Sequence, residues 1–194
     1  MSDVPSGLIT DLIFNGVITI NPATAEPEGE LAQTYEISDD GLTYTFVLRD
    51  GVMWHDGEPL SADDVKFTFD LLMNGATGSP RTAELTERVK SVDVTADNTV
   101  QFTLNFPVAS FIVSNVVYGI VPEHILSDVD PATLNQDTFS TGEKGRTSGP
   151  GSFMFEEWVK DDHITLVRHP DYWQGEPVLD RYIYRIVPDQ TVLA

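Results

Sequence analysis

The sequence predicts a mixed α/β (α+β) fold, and three observations predict it. There are three hairpin patterns, a few helices set between them, and no apolar run of the roughly 18 residues that a membrane span needs. Residues 6–15 read as a short helix, with Pro5 suited to its first turn and Leu8, Leu12 and Ile13 forming an apolar side. Gly16 ends it, residues 17–20 make a short strand, and residues 21–29 form a loop of Pro, Ala and Glu. Residues 31–37 and 42–48 form the first hairpin around Asp39-Asp40-Gly41, where Asp side chains bond nearby backbone and Gly accepts a positive φ. On its second arm Leu42, Tyr44, Phe46 and Leu48 share one face, and Thr43, Thr45, Val47 and Arg49 share the other. After two Asp-Gly turns, Ser61 opens a helix that runs to residue 74. Asp64 stands at capping-box spacing, and Val65, Phe69 and Leu72 lie along one face.

Gly75, Gly78 and Pro80 mark a loop. Residues 89–95 and 99–106 form the second hairpin around Asp97-Asn98, with Val92 and Val94 alternating on one arm and Val100, Phe102 and Leu104 on the other. Short helices follow Pro107 and begin at Pro122-Glu123-His124, and the apolar segment 111–121 reads as buried core. Residues 128–148 are polar, carry no period and read as a surface loop. Residues 153–159 and 163–168 form the third hairpin, and a last strand spans 182–187 before Pro188-Asp189.

Charge and cysteine content exclude several functions. The 31 acidic residues against 11 basic ones give a net charge of −20, which repels nucleic acid and anionic membranes. Asp outnumbers Glu and Lys is scarce, so a salt-adapted source stands beside a simply acidic domain. The absence of cysteine excludes disulfides, thiolate catalysis and cysteine metal sites. Met1-Ser2-Asp3 opens no signal-peptide pattern.

Each candidate site has a structural explanation to weigh against it. Trp54-His55-Asp56-Gly57 pairs an imidazole with a carboxylate, as proton transfer requires. The nearest other histidine is His124, however, and Asp56-Gly57 is a ready turn, so a structural role is expected. His163 and His169 are spaced for one strand face, but a turn and a strand end hold them, and no metal site is expected. Asp63-Asp64 caps a helix and Asp161-Asp162 occupies a hairpin turn. Gly149-Pro150-Gly151 lacks the lysine and the N–H of a phosphate loop. Tyr172-Trp173 with Trp158 suggests an aromatic platform, against which stands ordinary packing. Tyr182 and Tyr184 define one face of the last strand, the better place for a ligand contact.

Two longer runs carry a family resemblance. The first is residues 38–74, SDDGLTYTFVLRDGVMWHDGEPLSADDVKFTFDLLMN. The second starts at Gly149-Pro150-Gly151-Ser152-Phe153 and continues through Phe155-Glu156-Glu157-Trp158 and Ile164-Thr165-Leu166-Val167-Arg168. It ends in Pro170-Asp171-Tyr172-Trp173 and Leu179-Asp180. Together they resemble the extracellular solute-binding proteins of family 5, the peptide and nickel type that deliver ligands to ABC importers. One departure is Gly149-Pro150-Gly151-Ser152, where the family usually shows Gly-Thr-Gly-Pro.

The resemblance implies the first lobe, plus a small extra domain, of a two-lobed periplasmic-binding-protein-like fold (type II, cluster C), with the second lobe absent. Residues 1–30 and 106–194 would belong to lobe one and residues 31–105 to the small domain, in an amino-terminal fragment of an exported receptor. The implied partners are a small solute, in first place a peptide, and the permease subunits of an ABC transporter, with no nucleic acid and no cofactor. Dimerisation through uncovered strand edges is a further expectation. By resemblance Ser2, Asp3, Val4, Pro5 and Ser6 meet the ligand through backbone pairing, and the localisation is extracytoplasmic. Two rival functions are weighed. An acidic hydrolase would use Glu156 and Glu157, but adjacent strand residues point apart. A stand-alone carbohydrate-binding or adhesion module would use the exposed aromatic residues.

Overall fold

The computed structural model describes residues 4–186. The elements follow in the order α1 (Val4–Ile13), β1 (Ile18–Ile20), β2 (Pro27–Gly29), β3 (Ala32–Ile37), β4 (Thr43–Leu48), α2 (Ala62–Met73), α3 (Thr82–Arg88), β5 (Val89–Ala96) and β6 (Thr99–Leu104). Then come α4 (Phe111–Ser114), α5 (Glu123–Leu126), α6 (Thr138–Thr141), β7 (Phe153–Val159), β8 (His163–Arg168) and β9 (Arg181–Arg185). Among the described residues every strand pair is antiparallel, in three sheets ordered β1-β2, β3-β4-β6-β5 and β7-β8-β9. The mixed α/β class is therefore observed.

The central sheet follows from the alternation read in the sequence. Tyr44, Phe46 and Leu48 on β4 are buried, and so are Val100, Phe102 and Leu104 on β6, with Tyr44 opposite Phe102 and Phe46 opposite Val100. Helix α2 lays Val65 and Phe69 on that face, and the Phe69 ring meets Phe102 edge-on at 4.7 Å. Phe102 also meets Phe46 and Phe111, each at 5.7 Å, so rings from sheet, helix and the 111–120 segment close one core. Val17, Ile18, Val116 and Ile120 join that core from outside residues 31–105. Val94 departs from the predicted pattern and is exposed, next to the register shift between Val94 and Ala96 near the end of β5.

The predicted cap of α2 is present and does more than end a helix. Asp64 Oδ2 accepts from the Ser61 backbone N–H at 2.9 Å, and Oδ1 accepts from the Glu123 N–H at 2.9 Å. One buried carboxylate thus fixes the start of α2 against the start of α5. A second, smaller core holds Ile9 and Ile13 of α1 against Phe153, Phe155 and Leu166, with Tyr182 and Tyr184 packed onto it. The buried side of α1 is therefore Ile9 and Ile13. Leu8, expected on the apolar side, is exposed, and Leu12 is only partly covered.

Three segments correct the sequence reading. Helix α3 was not predicted, although its Arg88–Glu84 ion pair at i,i+4 spacing and its contact of buried Leu85 with the core support it. Residues 128–148 are not a plain surface loop. A 3-10 turn (Pro131–Gln136) and α6 lie there, capped by Asp130 and Asp137, and Phe139 is buried with its ring 5.8 Å from Phe14. The predicted loop 21–29 contains β2, paired with β1. The last strand ends at Arg185; Val187, Pro188 and Asp189 lie outside the described residues.

Candidate functional site

The two runs that carry the family resemblance meet in space, and His55 joins them. The His55 backbone N–H donates to the Gly149 carbonyl at 3.0 Å. Its ring Nδ1 accepts from the Gly149 N–H at 3.1 Å, and Nε2 lies 2.9 Å from the Gly151 carbonyl, which only an Nε2–H can satisfy. His169 Nδ1 reaches the same carbonyl at 3.2 Å, and the two imidazoles stack edge-on with centroids 4.9 Å apart. On its other side, the strap 149–151 lies against the end of α1: the Gly151 N–H donates to the Ile13 carbonyl at 2.8 Å. A Cβ at Gly149 would stand 2.0 Å from that carbonyl oxygen, and one at Gly151 2.4 Å from it, so both positions need glycine. The order Gly-Pro-Gly thus produces a tight contact with α1.

The electrostatics of this junction favour neutral rings. Burial lowers the His55 pKa to about 4, aided by His169 and opposed by the Gly151 carbonyl and Asp56. Burial likewise lowers His169. For Asp56, burial raises the pKa, but hydrogen bonds from His124 (3.0 Å) and the Glu58 N–H (3.3 Å) outweigh it and hold the carboxyl below its ordinary value. His55 is thus placed as a structural linchpin, as expected. The two histidines weighed as a pair have separate partners: His163 bonds Asp162 at 3.0 Å and Glu157 at 3.4 Å, while His169 turns to the strap. No group of three metal-ligating side chains occurs among the described residues.

A polar seam runs beside the strap and was not read from the sequence. The Glu30 carboxylate accepts from Asn15 Nδ2 at 2.6 Å and from the Gly16 N–H at 2.7 Å. Asn15 Oδ1 accepts from Trp173 Nε1 at 3.3 Å. The Arg49 guanidinium covers the Trp173 ring at 4.8 Å and donates through Nε to the Glu30 carbonyl at 2.7 Å. Burial raises the Glu30 pKa against the lowering pull of Gly16 and Asn15, and burial also raises that of Tyr172. Gln33, Arg49, Asp50 and Trp173 line an open recess at one end of the seam. The seam offers a cation, an aromatic plane and fixed hydrogen-bonding groups, a set suited to reversible contact. An Arg on a strand's polar face and a Trp after a turn were its only sequence signals.

The remaining candidates are placed as follows. Ser2 and Asp3 lie outside the described residues, and Val4, Pro5 and Ser6 form the first turn of α1. Trp158 is half exposed on β7, and no ring contact joins it to Tyr172 or Trp173, whose rings meet tilted with centroids 5.6 Å apart. The three do not form the platform weighed above. Tyr182 and Tyr184 pack inward on the smaller core, leaving Ile183 outward. Glu156 pairs with Lys144 at 2.7 Å and Glu157 with His163, so the two carboxylates diverge.

Known proteins share this sequence and fold. A candidate ABC transporter peptide-binding protein of Brucella ovis is 38% identical over 161 residues, covering 83% of this chain and 30% of its own length. The oligopeptide-binding protein AppA of Bacillus subtilis is 34% identical over 161 residues, 82% of this chain and 29% of its own. Its structure in complex with a nonapeptide matches 100% of this chain and 38% of that chain with a TM-score of 0.92. NikZ of Campylobacter jejuni, in complex with Ni(L-His), matches 94% of this chain and 35% of its own with a TM-score of 0.84 and 27% identity. The chain thus spans about a third of the length of these relatives. The family model for bacterial extracellular solute-binding proteins, family 5 (Middle), matches residues 26–194, and this chain belongs to that family.

Proposed function

We propose that this chain supplies one wall of a receptor that captures a solute, in first place an oligopeptide, outside the cytoplasm and hands it to the permease of an ABC importer without chemical change. The observation that carries this reading is the likeness over the full chain to AppA, whose structure holds a nonapeptide. Residues 1–30 and 106–194 then belong to the ligand-facing lobe and residues 31–105 to a small appended domain. Ser2, Asp3, Val4, Pro5 and Ser6 would contact the peptide by main-chain pairing, with side-chain pockets giving selectivity. Capture proceeds by closure of two lobes around the ligand, the closed form being recognised by the permease. The diverging carboxylates Glu156 and Glu157 give the hydrolase reading no support.

Titration calorimetry of the 194-residue chain with an oligopeptide pool is expected to show no micromolar binding, because one wall alone encloses nothing. A tight, specific complex on the chain alone would overturn the one-wall reading. Turnover of any peptide or glycoside would overturn the non-catalytic one.

A further inference from the structure

We propose that His55 is an acid-released latch: as the neutral Nε2–H tautomer it holds the 149–151 strap, and with it the end of α1, against the larger core, and protonation at Nδ1 lets the strap go. The geometry makes the latch sensitive to a single proton. Nδ1 is the acceptor for the Gly149 N–H at 3.1 Å, while Nε2–H donates to the Gly151 carbonyl at 2.9 Å. A proton on Nδ1 would set one N–H against another, converting a hydrogen bond into a repulsion. No rotation of the ring restores both bonds, because an imidazolium carries N–H on both nitrogens and has no acceptor left for the Gly149 N–H. The partner ring cannot relieve the charge, since His169 stacks edge-on at 4.9 Å and spends its own Nδ1–H on Gly151.

The charged groups around the ring complete the account. Asp56 adjoins it on its own turn and is engaged by His124 at 3.0 Å. Lys144 and Glu156 border the same small cavity but pair with each other at 2.7 Å. His169, with Asp171 near it, faces it from the segment after β8, and the strap brings no charge. Burial outweighs the carboxylates and lowers the ring's pKa from 6.5 to about 4. A depressed histidine pKa gives stability that is fully present above pH 6.5 and lost as the pH falls from 6.5 towards 4, because the opened form binds the proton first. The coupling matters because the strap joins two cores. His55 belongs to the turn whose neighbour Trp54 is buried in the larger core, whereas Ile13 belongs to the smaller one. Loosening of the end of α1 at Ile13 would follow on release.

The test is amide hydrogen exchange, resolved by NMR on the 194-residue chain and corrected for the intrinsic pH effect. Protection at Gly149 and Gly151 is expected to fall about 40-fold between pH 6.5 and 4.5, with the β4–β6 amides keeping theirs. In His55→Asn the side-chain oxygen can still accept from Gly149 but cannot titrate, so the fall should be absent. Ring ¹⁵N shifts of the unmodified chain give an independent check, expected to report an Nε2–H tautomer and no titration near 6.5. An Nδ1–H tautomer, a ring titrating near 6.5, or strap and sheet amides losing protection together would each overturn the latch. Because no peptide enters these measurements, their failure leaves the capture reading untouched, and failed capture leaves the latch untouched.

Discussion

The larger and the smaller core of this molecule are built from similar parts and end in different conditions. Around the central sheet, α2 seals one face, and Phe46, Phe69, Phe102 and Phe111 pack with almost no exposure. The β7-β8-β9 sheet packs against α1, and its core is Ile9, Ile13, Phe153, Phe155 and Leu166. Trp158 and Ile183 of this sheet are about half exposed, on opposite faces, and Val178, just before β9, is 96% exposed. With these apolar side chains exposed and only five residues in its buried cluster, the smaller unit draws less on apolar burial, so its stability rests more on the strap and α1. Among the described residues the first core is the larger and more fully buried of the two.

That contrast can be broken by mutation. Phe102→Ala should cost about 3–5 kcal/mol, because the ring touches Phe46, Phe69 and Phe111, and should lower the thermal midpoint of the whole chain. Leu166→Ala, with a comparable loss of about 3 kcal/mol, should instead unlock mainly the β7-β8-β9 region in amide exchange. Equal, global effects of the two changes would mean that the cores form one cooperative unit. A smaller effect is expected from salt. With a net charge of −20, the chain should melt higher in molar salt than in dilute buffer, as screening relieves self-repulsion. A midpoint that does not rise would remove the case for salt adaptation.

The mildest change probes the sheet face that carries Ile183. Ile183→Ser should alter stability by no more than about 0.5 kcal/mol, since the side chain is exposed. If that face mediates self-association, the same change should shift light scattering at high concentration towards monomer. A clean monomer before the substitution would instead argue that the face stays uncovered without pairing.

How much of this was readable from the sequence depended on the range of the interaction. The alternation of Tyr44, Phe46 and Leu48 and the spacing of Ser61 and Asp64 are local signals, and the structure reproduces them. Leu8 was misplaced because a ten-residue helix rich in apolar residues does not say which side it buries. Residues 128–148 hid two short helical turns, although Asp130-Pro131 and Asp137-Thr138 are recognisable cap signals. The seam of Asn15, Glu30, Arg49 and Trp173 was invisible because its members are up to 158 residues apart and none is unusual where it stands.

The sequence by itself determined the family, the mixed α/β class, the hairpins and the capped helix, because turn chemistry, residue period and caps act over a few residues. Only the tertiary structure decided that His55 and His169 share the carbonyl of Gly151, and that the glycines flanking Pro150 lie beneath the end of α1. The physical reason is that hydrogen bonds and close backbone approaches between distant segments depend on how the sheets pack. The pattern of neighbouring residues specifies the sheets, but the contacts between them are settled by the shape of the whole.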